Sequence, residues 1–181
     1  MLKVNKPPVN WNDIKLIIFD CDGVLTDGKI IYDNDSIEIK NFNAHDGMGF
    51  GLLHRAGIIP AIITGRSSKA LSQRCKDVNI KHLYQGIAKK LAQAQKLIDK
   101  LHLEWQQVAY MGDDWNDIPT MQKAAFSIAP CDALPEIINL ADFVTQRKAG
   151  DGAVRECIDY ILYQKGIYEE VIQQYLAEIT Q

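Results

Sequence analysis

The stretch "KLIIFDCDGVLTDG", residues 15–28, runs from an unbroken apolar segment straight into three carboxylates, Asp20, Asp22 and Asp27. Leu16, Ile17, Ile18 and Phe19 show no polar alternation, the pattern of a strand buried on both faces. Charges at the end of such a strand are costly, and one of a close carboxylate pair has its pKa pushed up. A chain that keeps Asp20 and Asp22 two positions apart needs a compensating cation, a water-exposed turn, or a reaction that uses both.

Similar runs recur outward from this one. "IPAIITG" (59–65), "VAYMGDD" (108–114), "FSIAP" (126–130) and "DFVT" (142–145) read as further buried strands. Between them, "GMGFGLLHRAG" (47–57), "SSKALSQRCKDVN" (67–79) and "IAKKLAQAQKLIDKLH" (87–102) read as helices; the last places Ile87, Leu91, Ala94, Ile98 and Leu101 at helical spacing. Strand–helix alternation implies an α/β, Rossmann-like core, a parallel sheet with helices on both faces. Ligands in such folds gather beyond the carboxyl ends of the strands, which brings Asp20, Thr64 and Asp113 to one edge. "GKIIYDNDSIEIKNFN" (28–43) breaks the pattern and reads as a β-hairpin inserted directly after the carboxylates. A long C-terminal helix is expected over about 152–178, interrupted near Gly166. No repeat or interdomain linker is visible, so 1–181 reads as one domain.

Composition narrows the classes. The chain has 181 residues, enough for one sizeable core, with 47% hydrophobic and 24% charged residues and a net charge of −3. That balance argues against a nucleic-acid or anionic-membrane partner, so cations that meet an anionic substrate must be local. Cys21, Cys75, Cys131 and Cys157 are scattered without a C-x-x-C pair, which suits free thiols rather than a disulfide framework or zinc site. "MLKVNKPPVNWND" (1–13) lacks an apolar leader core, and no run approaches the ~20 apolar residues that span a bilayer. A cytoplasmic protein is expected.

The carboxylates do not form a calcium loop: counting from Asp20, positions five and six hold Val24 and Leu25, where Asp or Asn and then Gly are required. Asp20 and Asp22 as helix-cap or turn residues is the plainer alternative. Against it, "GDDWND" (112–117) ends another buried strand and adds Asp113, Asp114 and Asp117. Carboxylates from two strand ends on one edge require a hard cation, and Mg²⁺ suits oxygen ligands with room for water and phosphate. Thr64 as a strand-end cap, and Lys89 and Lys90 as solvated helix charges, remain open on the residues alone. His54, His82 and His102 show no metal-ligand spacing.

"DxDGVLTDG", "TGR", "QGxxxKL" and "GDDxxDxP", in this order over residues 20–119, resemble the haloacid dehalogenase superfamily of phosphatases, and the likeness continues to "GAVRE" at 152–156. More narrowly, the chain is similar to the branch without a separate cap domain that hydrolyses 3-deoxy-D-manno-octulosonate 8-phosphate, a step of lipopolysaccharide precursor synthesis. The resemblance implies that Asp20 attacks phosphorus and Asp22 serves as acid and then base. It further implies Mg²⁺ on the Asp20 carboxylate, the Asp22 backbone carbonyl and Asp113, with Thr64 and Lys90 on the phosphoryl oxygens and Asp114 and Asp117 behind them. Substrate contacts are implied for Asp22, "NAHDG" (Asn43, His45, Asp46, Gly47), Thr64, Gly65, Arg66, Arg74, Lys90 and Asn116.

Arg66 and Arg74 lie eight residues apart, about two helical turns, and would share a face if their helix started early. Arginine suits bidentate carboxylate binding; solvated helix arginines are the alternative. "TGR" resembles the octulosonate enzymes, whereas relatives acting on nine-carbon sialic-type 9-phosphates tend to carry "TGE". His45, Gly51 and Asp151 depart from the branch's usual residues. The resemblance implies a homotetramer in which the hairpins associate and a neighbour covers the site. The alternatives are a sialic-type 9-phosphate phosphatase and a non-catalytic sugar-binding or assembly module on the same fold.

Overall fold

The computed structural model describes residues 6–180. Residues 1–5, part of the stretch read for a leader, and residue 181 lie outside the described residues. In chain order, β1 (Leu16–Phe19) is followed by a hairpin, β2 (Ile31–Tyr32) and β3 (Glu38–Ile39), and then by α1 (Ala44–Arg55) and β4 (Ile59–Ile63). Next come α2 (Lys69–Asp77), β5 (His82–Tyr84), α3 (Lys90–Lys100), β6 (Val108–Met111) and α4 (Ile118–Lys123). The chain closes with β7 (Phe126–Ala129), α5 (Pro135–Leu140), β8 (Phe143–Val144), α6 (Ala153–Gln164) and α7 (Tyr168–Ile179).

Six strands form one sheet in the order β5-β4-β1-β6-β7-β8, every pair parallel. The unbroken apolar runs have the two-sided burial that they require. Ile17 and Phe19 of β1 pack with α1, α2, α6 and α7, while Leu16 and Ile18 pack on the other face with α3, α4 and α5. Strand order reverses at β1, whose two neighbours are β4 and β6. The crevice beyond their carboxyl ends is the ligand position of open α/β sheets.

Several boundaries differ from the sequence reading. α1 starts three residues before 47, because Asn43 caps it by accepting from the His45 N–H at 2.8 Å. β5, α4 and α5 were not foreseen. The expected long C-terminal helix is two helices, broken where Gly166 turns left-handed at φ +70°. In the hairpin, the Asp33 carboxylate organises the turn by accepting from the N–H groups of Asp35 and Ile37 at 2.9 and 2.8 Å. Among the described residues no helix is long and apolar enough to cross a membrane.

Candidate active site

Asp20 leaves β1 with its N–H on the Met111 carbonyl of β6 at 3.0 Å. The chain then folds over Cys21, whose carbonyl accepts from the N–H groups of Val24, Leu25 and Thr26 at 3.3, 2.9 and 3.1 Å. Gly23 stands in this turn at φ +80°, where a Cβ would collide with the Asp113 carboxylate, so only glycine lets the two loops close. Across the crevice, Asp117 is fully buried. Its Oδ2 accepts from the N–H groups of Asp113 and Asp114 at 3.1 and 3.3 Å. Its Oδ1 accepts from the Tyr110 hydroxyl at 2.5 Å and from Lys90 Nζ at 2.7 Å.

Lys90 opens α3 and is 2% exposed. A cation gains nothing from a helix N-terminus, and lysine is almost never buried without a partner. Its partners are Asp117, the Asp20 Oδ2 at 2.8 Å and the Asn116 Oδ1 at 3.1 Å. Burial opposes the Lys90 charge, but Asp117 and Asp20 outweigh it and hold the ammonium above its ordinary range.

One ammonium does not neutralise the carboxylates present. Asp20, Asp113 and Asp117 each bring an oxygen within 4.8 Å of the others. Burial, then the Asp117 charge, pushes Asp20 up to about 7 against the pull of Lys90. Burial, then Asp20 and Asp117, pushes Asp113 to about 8. Asp20 Oδ1 and Asp113 Oδ1 are buried without a hydrogen-bond partner among the described residues, whereas both Asp117 oxygens are committed. A hard divalent cation between Asp20 and Asp113 answers both the charge and the orphaned oxygens, and Mg²⁺ fits that donor set. Asp117 then orients Lys90 and the Asp113 loop.

The sequence profile of the haloacid dehalogenase-like hydrolases matches residues 82–157. The 3-deoxy-D-manno-octulosonate 8-phosphate phosphatase KdsC of Escherichia coli K12 is 44% identical over 158 residues, covering 87% of this chain and 84% of its own. The chain belongs to the haloacid dehalogenase-like hydrolases. The Moraxella catarrhalis octulosonate phosphatase, whose crystal structure contains a magnesium ion, a phosphate ion and KDO, superposes with a TM-score of 0.88 at 38% identity, over 91% of this chain and 95% of that one. The cobalt-bound Haemophilus influenzae phosphatase gives 0.84 at 37% identity, over 87% and 92%.

Asp20, Cys21 and Asp22, consecutive in the chain, meet different surroundings. Cys21 points into the core, where burial raises its thiol pKa. The Asp22 carboxylate pairs with groups outside the Asp20–Asp113–Asp117 cluster. Its Oδ1 accepts from Lys40, just past β3, and its Oδ2 lies 3.9 Å from Arg66 Nε. Lys40 also pairs with Glu38 at 3.4 Å, and Glu38 with Arg66 Nη2 at 2.9 Å. Arg66 Nη2 further donates to the Tyr32 hydroxyl at 3.1 Å. Burial opposes the Lys40 charge, but the bond to Asp22 together with the nearby negative charges, Asp22 and Glu38 among them, outweighs it and the pKa rises.

The remaining expected residues divide. Thr64 is buried at the end of β4, its N–H on the Tyr84 carbonyl and its carbonyl on the Ile87 N–H, both 3.0 Å. Gly65 beside it faces open space, with only the Ile87 carbonyl at 4.0 Å from a built Cβ. Arg66 and Arg74 do not share a helix face: Ser68 caps α2, so Arg66 lies in the preceding loop. Arg74 donates to the Asn43 carbonyl at 2.9 Å, in space that the missing Cβ of Gly47 leaves open. His45 is exposed. Asp46 is not at the lip of the site; it is buried, and its Oδ1 accepts from the Arg155 N–H of α6 at 2.8 Å, capping a helix that Gly152 leaves without a side-chain cap. Asp114 caps the turn before α4 by accepting from the Trp115 N–H at 2.6 Å. Asn116 touches Lys90.

Lys40, Glu38 and Tyr110 were missed. For the first two a signal exists: in "IEIK" (37–40), alternation puts Glu38 and Lys40 on the face opposite Ile37 and Ile39. Tyr110 carries no such signal, since aromatic residues are ordinary in buried strands.

Proposed function

We propose that this chain is a cytoplasmic, Mg²⁺-dependent phosphatase of lipopolysaccharide precursor synthesis that releases phosphate from 3-deoxy-D-manno-octulosonate 8-phosphate. One observation carries the chemistry: Asp20 has one oxygen on Lys90 and the other buried, like the Asp113 Oδ1, without a hydrogen-bond partner among the described residues. The substrate follows from the relatives, of which the E. coli phosphatase is 44% identical, and from Arg66 at the lip. The four free cysteines suit the compartment.

In this reading Asp20 attacks phosphorus in line with the sugar oxygen. As the phosphorus–oxygen bond breaks, Asp22 gives its proton to that oxygen, leaving an aspartyl-phosphate. Asp22 then takes a proton from a water that attacks the same phosphorus, releasing phosphate and restoring Asp20. Lys90 and the Thr64 hydroxyl hold the transferring oxygens and contribute part of the electrostatic compensation that a carboxylate meeting a phosphate dianion requires. Asp20, Asp113 and the Asp22 carbonyl would hold Mg²⁺, which neutralises part of that repulsion. Arg66, and Arg74 together with Asn43, His45, Gly47 and Asn116, line the approach of the sugar acid. Residues 1–181 act as one domain.

The hairpin supplies the missing cap by assembling into a homotetramer. Ile30, Ile31, Tyr32, Ile37 and Ile39 are 44, 43, 57, 60 and 48% exposed, an apolar surface that a monomer leaves in water. Replacing residues 30–39 with a short turn should yield smaller, weaker enzyme by sedimentation and assay; a fully active monomer refutes the assembly. The substrate reading is tested by phosphate release from a panel of sugar phosphates. The octulosonate 8-phosphate should give the highest kcat/KM, and preference for a nine-carbon 9-phosphate overturns it.

A further inference from the structure

We propose that Lys40 is a positioning residue that holds the Asp22 carboxylate for proton transfer, making the return arm of the hairpin part of the acid/base apparatus. The inference rests on the reading of Asp22 as the group that protonates the leaving oxygen.

Among the described residues, the Asp22 carboxylate has no hydrogen bond or ion pair to its own loop; its partners are Lys40 and Arg66. Cys21 points into the core, and Gly23 has no side chain. A carboxylate on a turn rotates about two single bonds, yet a general acid must stay within about 2.6–3.2 Å of the oxygen it serves. Lys40 removes that freedom by binding Asp22 Oδ1, which leaves Oδ2, 3.9 Å from Arg66 Nε, as the oxygen for transfer. The Lys40 side chain is only 3% exposed, against 18% for Asp22, so the clamp is better shielded than the group it holds.

Lys40 is itself fixed. Glu38, two residues earlier, accepts its second contact at 3.4 Å and is held in turn by Arg66. The hydroxyl of Tyr32, which pairs with Glu38 across the hairpin, accepts from the same Arg66 Nη2. The run Asp22–Lys40–Glu38–Arg66 therefore joins the acid/base to the arginine facing the sugar acid. A lysine that merely propped the hairpin would need neither the bond to Asp22 nor a side chain so shielded from water.

Proton donation matters for a poor leaving group and little for a good one, and a scaffold defect does not distinguish them. The test compares kcat/KM of the full-length, Mg²⁺-loaded protein on the sugar acid phosphate and on p-nitrophenyl phosphate, whose nitrophenolate departs without a proton. Lys40→Met should lower kcat/KM about 30- to 100-fold on the sugar phosphate and less than about threefold on the nitrophenyl ester. Lys40→Arg should recover most of the loss. Equal loss on both esters, or no loss on either, overturns the proposal. If Lys40→Met fails to fold by circular dichroism, Lys40→Gln and Lys40→Arg carry the same comparison. Should the wild type ignore octulosonate 8-phosphate but hydrolyse another alkyl phosphate, the substrate reading fails while the Lys40 comparison proceeds on that ester.

Discussion

Lys90→Met removes the ammonium that faces two buried carboxylates and keeps a stem of similar length. The Lys90 side chain is 1% exposed and lies 2.8 and 2.7 Å from Asp20 and Asp117. Breaking a buried pair by deleting one partner costs about 3–5 kcal/mol. Asp117 retains the Tyr110 hydroxyl and two backbone N–H groups, so most of the penalty falls on Asp20. Asp20 can escape part of it by taking a proton. Its folded pKa is already raised from 3.8 to about 7, by burial and then Asp117, with Lys90 pulling it down. A carboxyl raised in the fold costs stability as pH climbs from its unfolded value through its folded one. Without Lys90 the folded value is higher still, so the variant keeps losing stability above pH 7 where the wild type levels off. The penalty should therefore be larger near pH 8.5 than near pH 6, by roughly 1–2 kcal/mol at 1.36 kcal/mol per pKa unit. Urea unfolding followed by circular dichroism, with chelator at both pH values, measures this, and Mg²⁺ should recover part of the loss. A penalty below about 1 kcal/mol at the higher pH, or one that does not change with pH, would refute this account of Lys90.

Asp113→Ala should lose Mg²⁺ affinity, seen as a shift of the activation curve to much higher metal concentration and loss of heat in titration calorimetry; an unchanged curve removes Asp113 from the metal site. Arg66→Ala should lose about 10- to 100-fold in kcat/KM on the sugar acid phosphate, the value of one charge-assisted bond of about 1.5–3 kcal/mol, with little effect on p-nitrophenyl phosphate. Equal losses would assign Arg66 to the phosphate or the scaffold. Burial raises the Asp46 carboxyl from 3.8 to about 6 against the Arg155 N–H and Arg74. Its ionisation thus costs the fold stability as pH rises between those values. Asp46→Asn keeps the acceptor for Arg155 and removes that cost, so its Tm relative to wild type should be higher at pH 7 than at pH 4; a difference independent of pH contradicts the assignment.

The local sequence was enough for the sheet centre and for the carboxylates gathered at its edge. β1, β4 and β6 are legible because a strand covered on both faces needs an unbroken apolar run, and helices between such runs leave little topology to choose from. Asp20, Thr64 and Asp113 are legible for the same reason: each follows one of those runs at the edge where ligands gather. The weaker elements were not. β5 has three half-buried residues at a sheet edge, and α4 and α5 have six each, too short for a helical period to show. What Asp22, Asp46 and Arg66 touch was decided only by the closed fold. Asp46 looks like a loop residue near a substrate until α6 packs on α1 and offers the Arg155 N–H. Arg66 looks like a helix arginine until Ser68 takes the cap and the hairpin brings Glu38 and Tyr32 to it. Lys40 reads as a surface lysine until the same hairpin folds back over Asp22. These contacts join residues 18 to 109 positions apart. Side-chain periodicity identifies the face a residue occupies on its own element, whereas its partner depends on how that element docks.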